Sequence, residues 1–334
     1  MVAIDALEKI RQSTQERINS HHRGKSRVVA QVGHCSQSVG ASEVAAMLKD
    51  SLPDTTYLVI AGCDGACFAA PQIVVTDPLG VARRFTHLDP DAAQHIGVEM
   101  GSKLPNGDSN IDRFFGKQRR LTLDLCGYLD CMNIDDYILH GGYAGLARAL
   151  TITPESVVEE VKASGLRGRG GAYFPAAIKW EGARNVNNSP RYLVVNAEEG
   201  EPGIFKDRHL MEGVPHRIIE GAVIAAYASG VSEAFFYVNA EANRSAERVQ
   251  LAIDQANDLG LLGDDILGSG FRLNIEMLRG AGGYVCGEET TILNTMEGYR
   301  REPRLRPPFP TESGVWAKPT VINNCETLAS LPFI

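Results

Sequence analysis

In the stretch SGLRGRGGAYFP at 164–175, Gly165, Gly168, Gly170 and Gly171 bracket Arg167 and Arg169, and Ala172, Tyr173 and Phe174 follow. Glycines at this density let backbone amides approach a ligand closely, and successive N–H groups can cradle a phosphate. A flexible, solvated loop is the competing reading; the aromatic pair and Pro175 directly behind the glycines argue against it. The segment is not the dinucleotide fingerprint G-x-G-x-x-G, because it follows a helical pattern and has Tyr173 where the last glycine belongs. Lys179 and Trp180 come next, at a spacing that returns a cation to the same pocket.

NAEEGEPGIFKDR at 196–208 places Asn196, Glu198, Glu199 and Glu201 just beyond an apolar run. Carboxylates this close repel one another, so they need cations, hydrogen-bond donors or open water. Ribose hydroxyls, a nicotinamide amide or flavin ring nitrogens would serve as donors, with a metal ion as the rival reading. RGAGGYVCGEETTILNTMEG at 279–298 carries Tyr284, Gly287, Glu288 and Glu289 into a helix start; Cys286 reads there as a small packed hydrophobe. RPPFPTESGVWAKPTVINNCETL at 306–328 contains Ile322, Asn323 and Asn324, whose carboxamides can bond a phosphate or a ring edge. Glycines and arginines for phosphate, acids for hydroxyls and aromatics for stacking together describe a large nucleotide-like cofactor.

These segments need a scaffold, and the pattern predicts one. Strand runs at 191–197, 232–240 and 271–278 alternate with helical runs at 216–230 and 245–260, and a short apolar strand precedes Asn323. That order predicts a mostly parallel sheet covered on both faces, with ligands beyond the carboxyl ends of the strands. Thr153 before Pro154 predicts a helix start: a hydroxyl cap, then proline where no amide bond is lost. Nearer the amino terminus, strand runs at 27–33, 55–62, 71–77 and 81–88 and a helix over 41–52 predict a separate small α/β unit. The stretch 101–112 is polar and turn-rich and reads as a linker. Of 334 residues, 41 are acidic and 33 basic, a net charge of −8, which argues against a nucleic-acid binder. No run of 18 apolar residues occurs, so no direct membrane span is expected. The start lacks the order of a secretory signal and the seven cysteines are thinly spread, so the expected location is cytoplasmic.

At GLRGRGGAYFP with KW, YLVVNAEEGEPGIFKDRHLMEG, RGAGGYVCGEET with MEG, and RPPFP with KPTVINN, the chain resembles the NADH-binding, FMN-containing subunit of respiratory complex I. It is also similar to the flavoprotein subunits of NAD-linked hydrogenases and formate dehydrogenases. The resemblance implies α/β architecture: a thioredoxin-like unit over 1–100, a linker and helical segment over 101–150, and a Rossmann-like FMN- and NADH-binding domain over 151–334. It implies that Gly168, Arg169, Gly170, Gly171, Ala172 and Lys179 contact FMN or its phosphate, with Phe174 near the NADH. Asn196, Glu198 and Glu199 would line the flavin, and Glu201 would bond the nicotinamide side. Tyr284, Gly287, Glu288 and Glu289 would continue the pocket, and Ile322, Asn323 and Asn324 would meet the phosphate and ribityl chain. The chain departs from the family at Tyr173 and Ala177, where glycine is usual, and at Glu198, where aspartate is usual; the bulk of Tyr173 would narrow the nicotinamide entry.

The amino-terminal unit is similar to thioredoxin-like [2Fe–2S] units, which use four cysteines. Cys63 and Cys67 in AGCDGACFAAP match the late pair, and Cys35 stands alone for the early pair, with His34 as a fourth ligand. A cluster-free adaptor is the other expectation. Family members continue into a β-rich domain and a helical bundle holding a [4Fe–4S] cluster, which this sequence does not reach. The implied activity is hydride transfer from NADH to FMN, then single-electron transfer to iron–sulfur partner subunits of a complex peripheral to the cytoplasmic membrane face. The alternative is a cofactor-free structural or assembly subunit that keeps the fold.

Overall fold

The structure, a computed structural model, describes residues 1–100 and 107–334; of the expected linker, 101–106 lie outside the described residues. The chain divides into two compact units, one of residues 12–139 with 212–214, the other of residues 1–11, 140–211 and 215–334.

In the smaller unit, β1 (Ser26–Gln31), β2 (Thr56–Ala61), β3 (Ile73–Thr76) and β4 (Ala82–Phe85) form one sheet in the order β2-β1-β3-β4. β1 and β2 are parallel; β3 pairs antiparallel with both β1 and β4. Alternation sends Val28 and Ala30 into a core with Ile73, Val75 and Phe85. Helices Ala41–Ser51 and Pro90–Glu99 contribute Val44, Leu48, Ala93 and Ile96 to that core. The unit extends past residue 100, the expected boundary, because Ile111 and Phe115 pack on Ala66 and Ala69 and Asp136 pairs with Arg27 at 2.7 Å.

The larger unit is built on a second sheet in which every pairing is parallel. β5 (Tyr192–Ala197), β6 (Glu233–Val238), β7 (Asn274–Arg279) and β8 (Thr320–Asn324) lie in the order β7-β6-β5-β8. β5 and β6 read as near-continuous apolar runs because both faces are buried. On one face Tyr192, Val194, Phe235, Tyr237 and Ile322 pack on Ile292 and Leu293 of helix Glu289–Met296. Helix Pro215–Ser229, buried along nearly its whole length, contacts β5 and the short helix Cys325–Ala329. Gly221 permits that approach: a Cβ there would collide with the Leu328 carbonyl oxygen. The expected start at Thr153 is present. Its hydroxyl accepts from the Ser156 amide at 3.2 Å, Pro154 opens helix Pro154–Ser164, and Gly165 closes it in the left-handed region.

Candidate functional site

The register of β5 against β8 sets which side chains meet. Asn196 pairs with Asn324 and Val195 with Asn323, so Asn196 and Asn324 share one face and Asn323 takes the other. Asn323 is buried, and its Oδ1 accepts from Trp180 Nε1 at 2.9 Å, tying β8 to helix Ala176–Asn185. Of the two asparagines expected at a phosphate, Asn324 lies with the glycine loop, and Asn323 serves the packing. The Ile322 side chain is core; its carbonyl accepts from Lys179 Nζ at 3.0 Å.

The glycine segment is a tight excursion over the end of β8. Arg167 and Pro175 form an antiparallel bridge, and the Gly168 amide donates to the Phe174 carbonyl at 2.8 Å. The Arg169 amide donates to Thr327 Oγ1 at 2.9 Å. A Cβ at Gly170 would meet the Asn324 Cβ at 3.3 Å, and Gly171 has φ +108°. Ala172 and Phe174 are exposed. Tyr173 has φ +56°, a conformation that favours glycine and costs a residue with a side chain about 1 kcal/mol. The glycine that the resemblance leads one to expect at 173 would suit this backbone.

The acids after β5 divide their roles. Glu199 receives the Asp207 amide on one oxygen at 2.9 Å and the Arg208 amide on the other at 3.0 Å, capping helix Lys206–Gly213. Glu198 is buried. Its Oε1 accepts from Asn239 Nδ2 at 2.6 Å, and its Oε2 has no hydrogen-bond partner among the described residues. Burial pushes the Glu198 carboxyl up, against the lowering effect of Asn239. Glu201 is exposed and bonds Tyr284, whose phenol is pushed up as a result. Asn196 Nδ2 donates to the Gly287 carbonyl at 2.9 Å, which joins β5 to the loop after β7.

Two charge groups flank this end of the sheet. In one, Lys206 Nζ reaches Asp207 Oδ1 at 2.7 Å and Asn324 Oδ1 at 3.0 Å, while Asn324 Nδ2 donates to Asp207 Oδ2 at 2.6 Å. Burial lifts Asp207 to about 6; the ion pair with Lys206 only partly opposes it, because Asp207 is the deeper partner. In the other, Lys179 Nζ pairs with Glu289 at 3.1 Å, and Arg306 spans Glu289 at 2.8 Å and Glu288 at 2.5 Å. Glu288 also caps helix Glu289–Met296 through the Thr290 and Thr291 amides. Burial would raise its carboxyl, but those donors and Arg306 outweigh it and hold it below the usual range. Lys206, Asp207 and Arg306 lie in segments flagged by the sequence, yet were not singled out there. In the sequence pattern the KDR and RPP cations are masked by the acid cluster and the prolines beside them.

In the smaller unit, Cys63 and Cys67 have their sulfurs 3.8 Å apart in the loop after β2. Asp64 anchors that loop: buried, it accepts from Gln31 at 3.0 Å, Gln72 at 3.0 Å and Arg84 at 2.7 Å. Cys35 is exposed near the start of helix His34–Gln37. Gly33 brings that turn to Cys63, since a Cβ on it would lie 3.1 Å from the Cys63 Cβ. Cys131 is buried and directs its thiol to the Ile60 carbonyl, a packing role.

A parallel sheet whose carboxyl ends gather a glycine loop, paired carboxamides and a buried acid defines an α/β protein of the nucleotide-cofactor-binding class. The chain belongs to the Nuo51 FMN-binding domain family, whose model matches residues 161–332, more than half its length. It is 50% identical over 218 residues to the NADP-reducing hydrogenase subunit HndC of Solidesulfovibrio fructosivorans, covering 65% of this chain and 44% of that protein. It is 50% identical over 202 residues to an NADH-quinone oxidoreductase subunit of Aquifex aeolicus (strain VF5), covering 60% of this chain and 47% of that one. The chain spans a little under half the length of these relatives. An NAD⁺-reducing [NiFe]-hydrogenase in the H₂-reduced state shares the fold over 99% of this chain and 60% of its own, with TM-score 0.55 and 24% identity.

Proposed function

We propose that this chain is the flavin-bearing part of an NADH-oxidising complex, passing electrons from NADH through FMN to iron–sulfur partner subunits. One observation carries the reading: the glycine loop, Asn196, Glu198, Asn324 and the loop around Gly287 converge at the carboxyl end of one parallel sheet. The residues fit a flavin mononucleotide. The backbone amides of Gly170 and Gly171 suit its phosphate, and the buried Glu198 Oε2, unpartnered among the described residues, suits a polar ring edge. Bound FMN would accept a hydride and release electrons singly, matching a two-electron donor to one-electron acceptors.

The protein's share is orientation. The Glu289–Lys179 pair, anchored on the Ile322 carbonyl, fixes the floor between helix Ala176–Asn185 and β8. Glu199 fixes the helix after the acidic turn, leaving Glu201 and Tyr284 as the exposed pair toward the dinucleotide. Burial raises the Glu198 carboxyl against its bond from Asn239, and no side chain is assigned as acid or base in hydride transfer. The test is reconstitution with FMN: the loaded protein should reduce ferricyanide with NADH. Bound flavin without that activity ends the enzymatic reading, and a colourless protein that refuses FMN points to a cofactor-free scaffold.

A [2Fe–2S] cluster fits the smaller unit in part. Sulfurs 3.8 Å apart match two thiolates on one tetrahedral iron at about 2.3 Å each. Cys35 offers a third ligand, and the fourth would fall to exposed His34. Iron and acid-labile sulfide assays on wild type and Cys67→Ser decide between a cluster and a cluster-free adaptor. Peripheral attachment at a membrane face would come through partners, since no helix among the described residues is long and apolar enough to cross a membrane.

A further inference from the structure

Most cations around the site are already committed to carboxylates. Lys179 is paired with Glu289, Lys206 with Asp207, and Arg306 with both Glu288 and Glu289. The lysine expected at a phosphate therefore has its charge largely neutralised by a neighbouring acid. Arg167 is placed differently. Its guanidinium lies over the Tyr173 ring at 5.1 Å, and its Nη1 donates to the Tyr173 carbonyl at a long 3.5 Å.

We propose that Arg167, shelved on Tyr173, is the residue that recognises a nucleotide phosphate at the glycine loop. A guanidinium stacked on an aromatic ring uses its face for the contact and keeps its in-plane N–H groups for an oxyanion. The shelf exists because the loop doubles back. The Arg167–Pro175 bridge and the Gly168-to-Phe174 bond bring residue 173 under residue 167, and the positive φ of Tyr173 turns its ring there. Tyr173 is 58% exposed, so its ring is not held there by core packing. On this account Tyr173 does more than crowd the entry, because it sets the plane of the arginine. Arg148, exposed on helix Ala144–Ala149 and paired with Glu160 at 3.1 Å, lies outside the segments that form the site and is the control for loss of an arginine.

The inference rests on the flavin-and-dinucleotide reading, and the phosphate has two possible sources, the FMN monophosphate and the dinucleotide pyrophosphate. Binding without turnover separates them. FMN and riboflavin, which lacks the phosphate, are titrated by flavin fluorescence, and ADP-ribose by calorimetry, against wild type, R167A, Y173A, Y173F and R148A. R167A should lose roughly tenfold in affinity for FMN or for ADP-ribose while riboflavin is unaffected. Y173A should lose part of the same preference, and Y173F should keep it. A change in the FMN arm assigns the flavin phosphate, and a change in the ADP-ribose arm assigns the pyrophosphate. If R167A moves neither ratio, or R148A reproduces its loss, the assignment is overturned. A wild-type protein that binds none of the three ligands overturns the cofactor reading itself, and the assignment with it.

Discussion

At the scale of single residues, three neighbouring glutamates do three different things. Glu199 caps a helix with both oxygens, Glu198 is buried against Asn239, and Glu201 stands in solvent with Tyr284. Glu199→Ala should therefore cost about 1–2 kcal/mol of stability through the lost cap, read by chemical denaturation. An unchanged midpoint would return Glu199 to the ligand site. Glu201→Gln should leave FMN content nearly unchanged, raise the apparent KM for NADH and narrow the preference over NADPH. A carboxylate there would accept from the dinucleotide and oppose a 2′-phosphate. Steady-state kinetics with both dinucleotides, beside the flavin-to-protein absorbance ratio, check this. An unaltered KM leaves Glu201 as a solvated turn acid. The acidic cluster was visible in the sequence, but its division of labour was not. That depends on where helix Lys206–Gly213 begins, and its short polar run carries little apolar periodicity.

At the scale of elements, helices Pro215–Ser229 and Lys206–Gly213 place two buried titratable groups of opposite sign. His216 is held by the Tyr143 hydroxyl at 2.9 Å and Gln255 at 3.1 Å, and burial pushes it down to about 4. Folded His216 stays neutral where the unfolded chain protonates, so stability is lost as pH falls from about 6.5 to about 4. Asp207, lifted from 3.8 to about 6, behaves oppositely: its contribution is present below about 4 and lost as pH rises through about 6. Each is worth about 3 kcal/mol at most, and between pH 4 and 6 they offset. Asp207→Asn should unmask a steeper acid loss over that window, followed by denaturation at several pH values. An unchanged slope would mean that Asp207 is ordinary. In the smaller unit, Asp64→Ala should cost about 3–5 kcal/mol by leaving Arg84 part-buried beside the cysteine loop, and should expose Cys63 to thiol reagents. A Cys63 that stays protected would refute the anchoring role. The long apolar strands and Thr153–Pro154 were legible because their signals are local. Helices Ala176–Asn185 and Cys325–Ala329 were not, since a mid-helix Gly182 and a length of five residues hide them.

At the scale of the whole molecule, two sheets of different strand direction carry the two candidate sites: a mixed sheet with the cysteine loop and a parallel sheet with the glycine loop. The strand–helix order made both visible beforehand. The end of the smaller unit at 139 was not, because it is set by the packing of Ile111 and Phe115 and the ion pair of Asp136. Family membership follows from the larger unit, which holds all the matched residues but 212–214. The central claim is that this unit binds FMN and lets NADH reduce it, and one measurement tests it most directly. Purified protein is loaded with FMN, freed of excess, and titrated anaerobically with NADH while the visible flavin absorbance is followed. The account predicts bleaching that is complete at one NADH per bound flavin. Flavin that stays bound and coloured through excess NADH would contradict it.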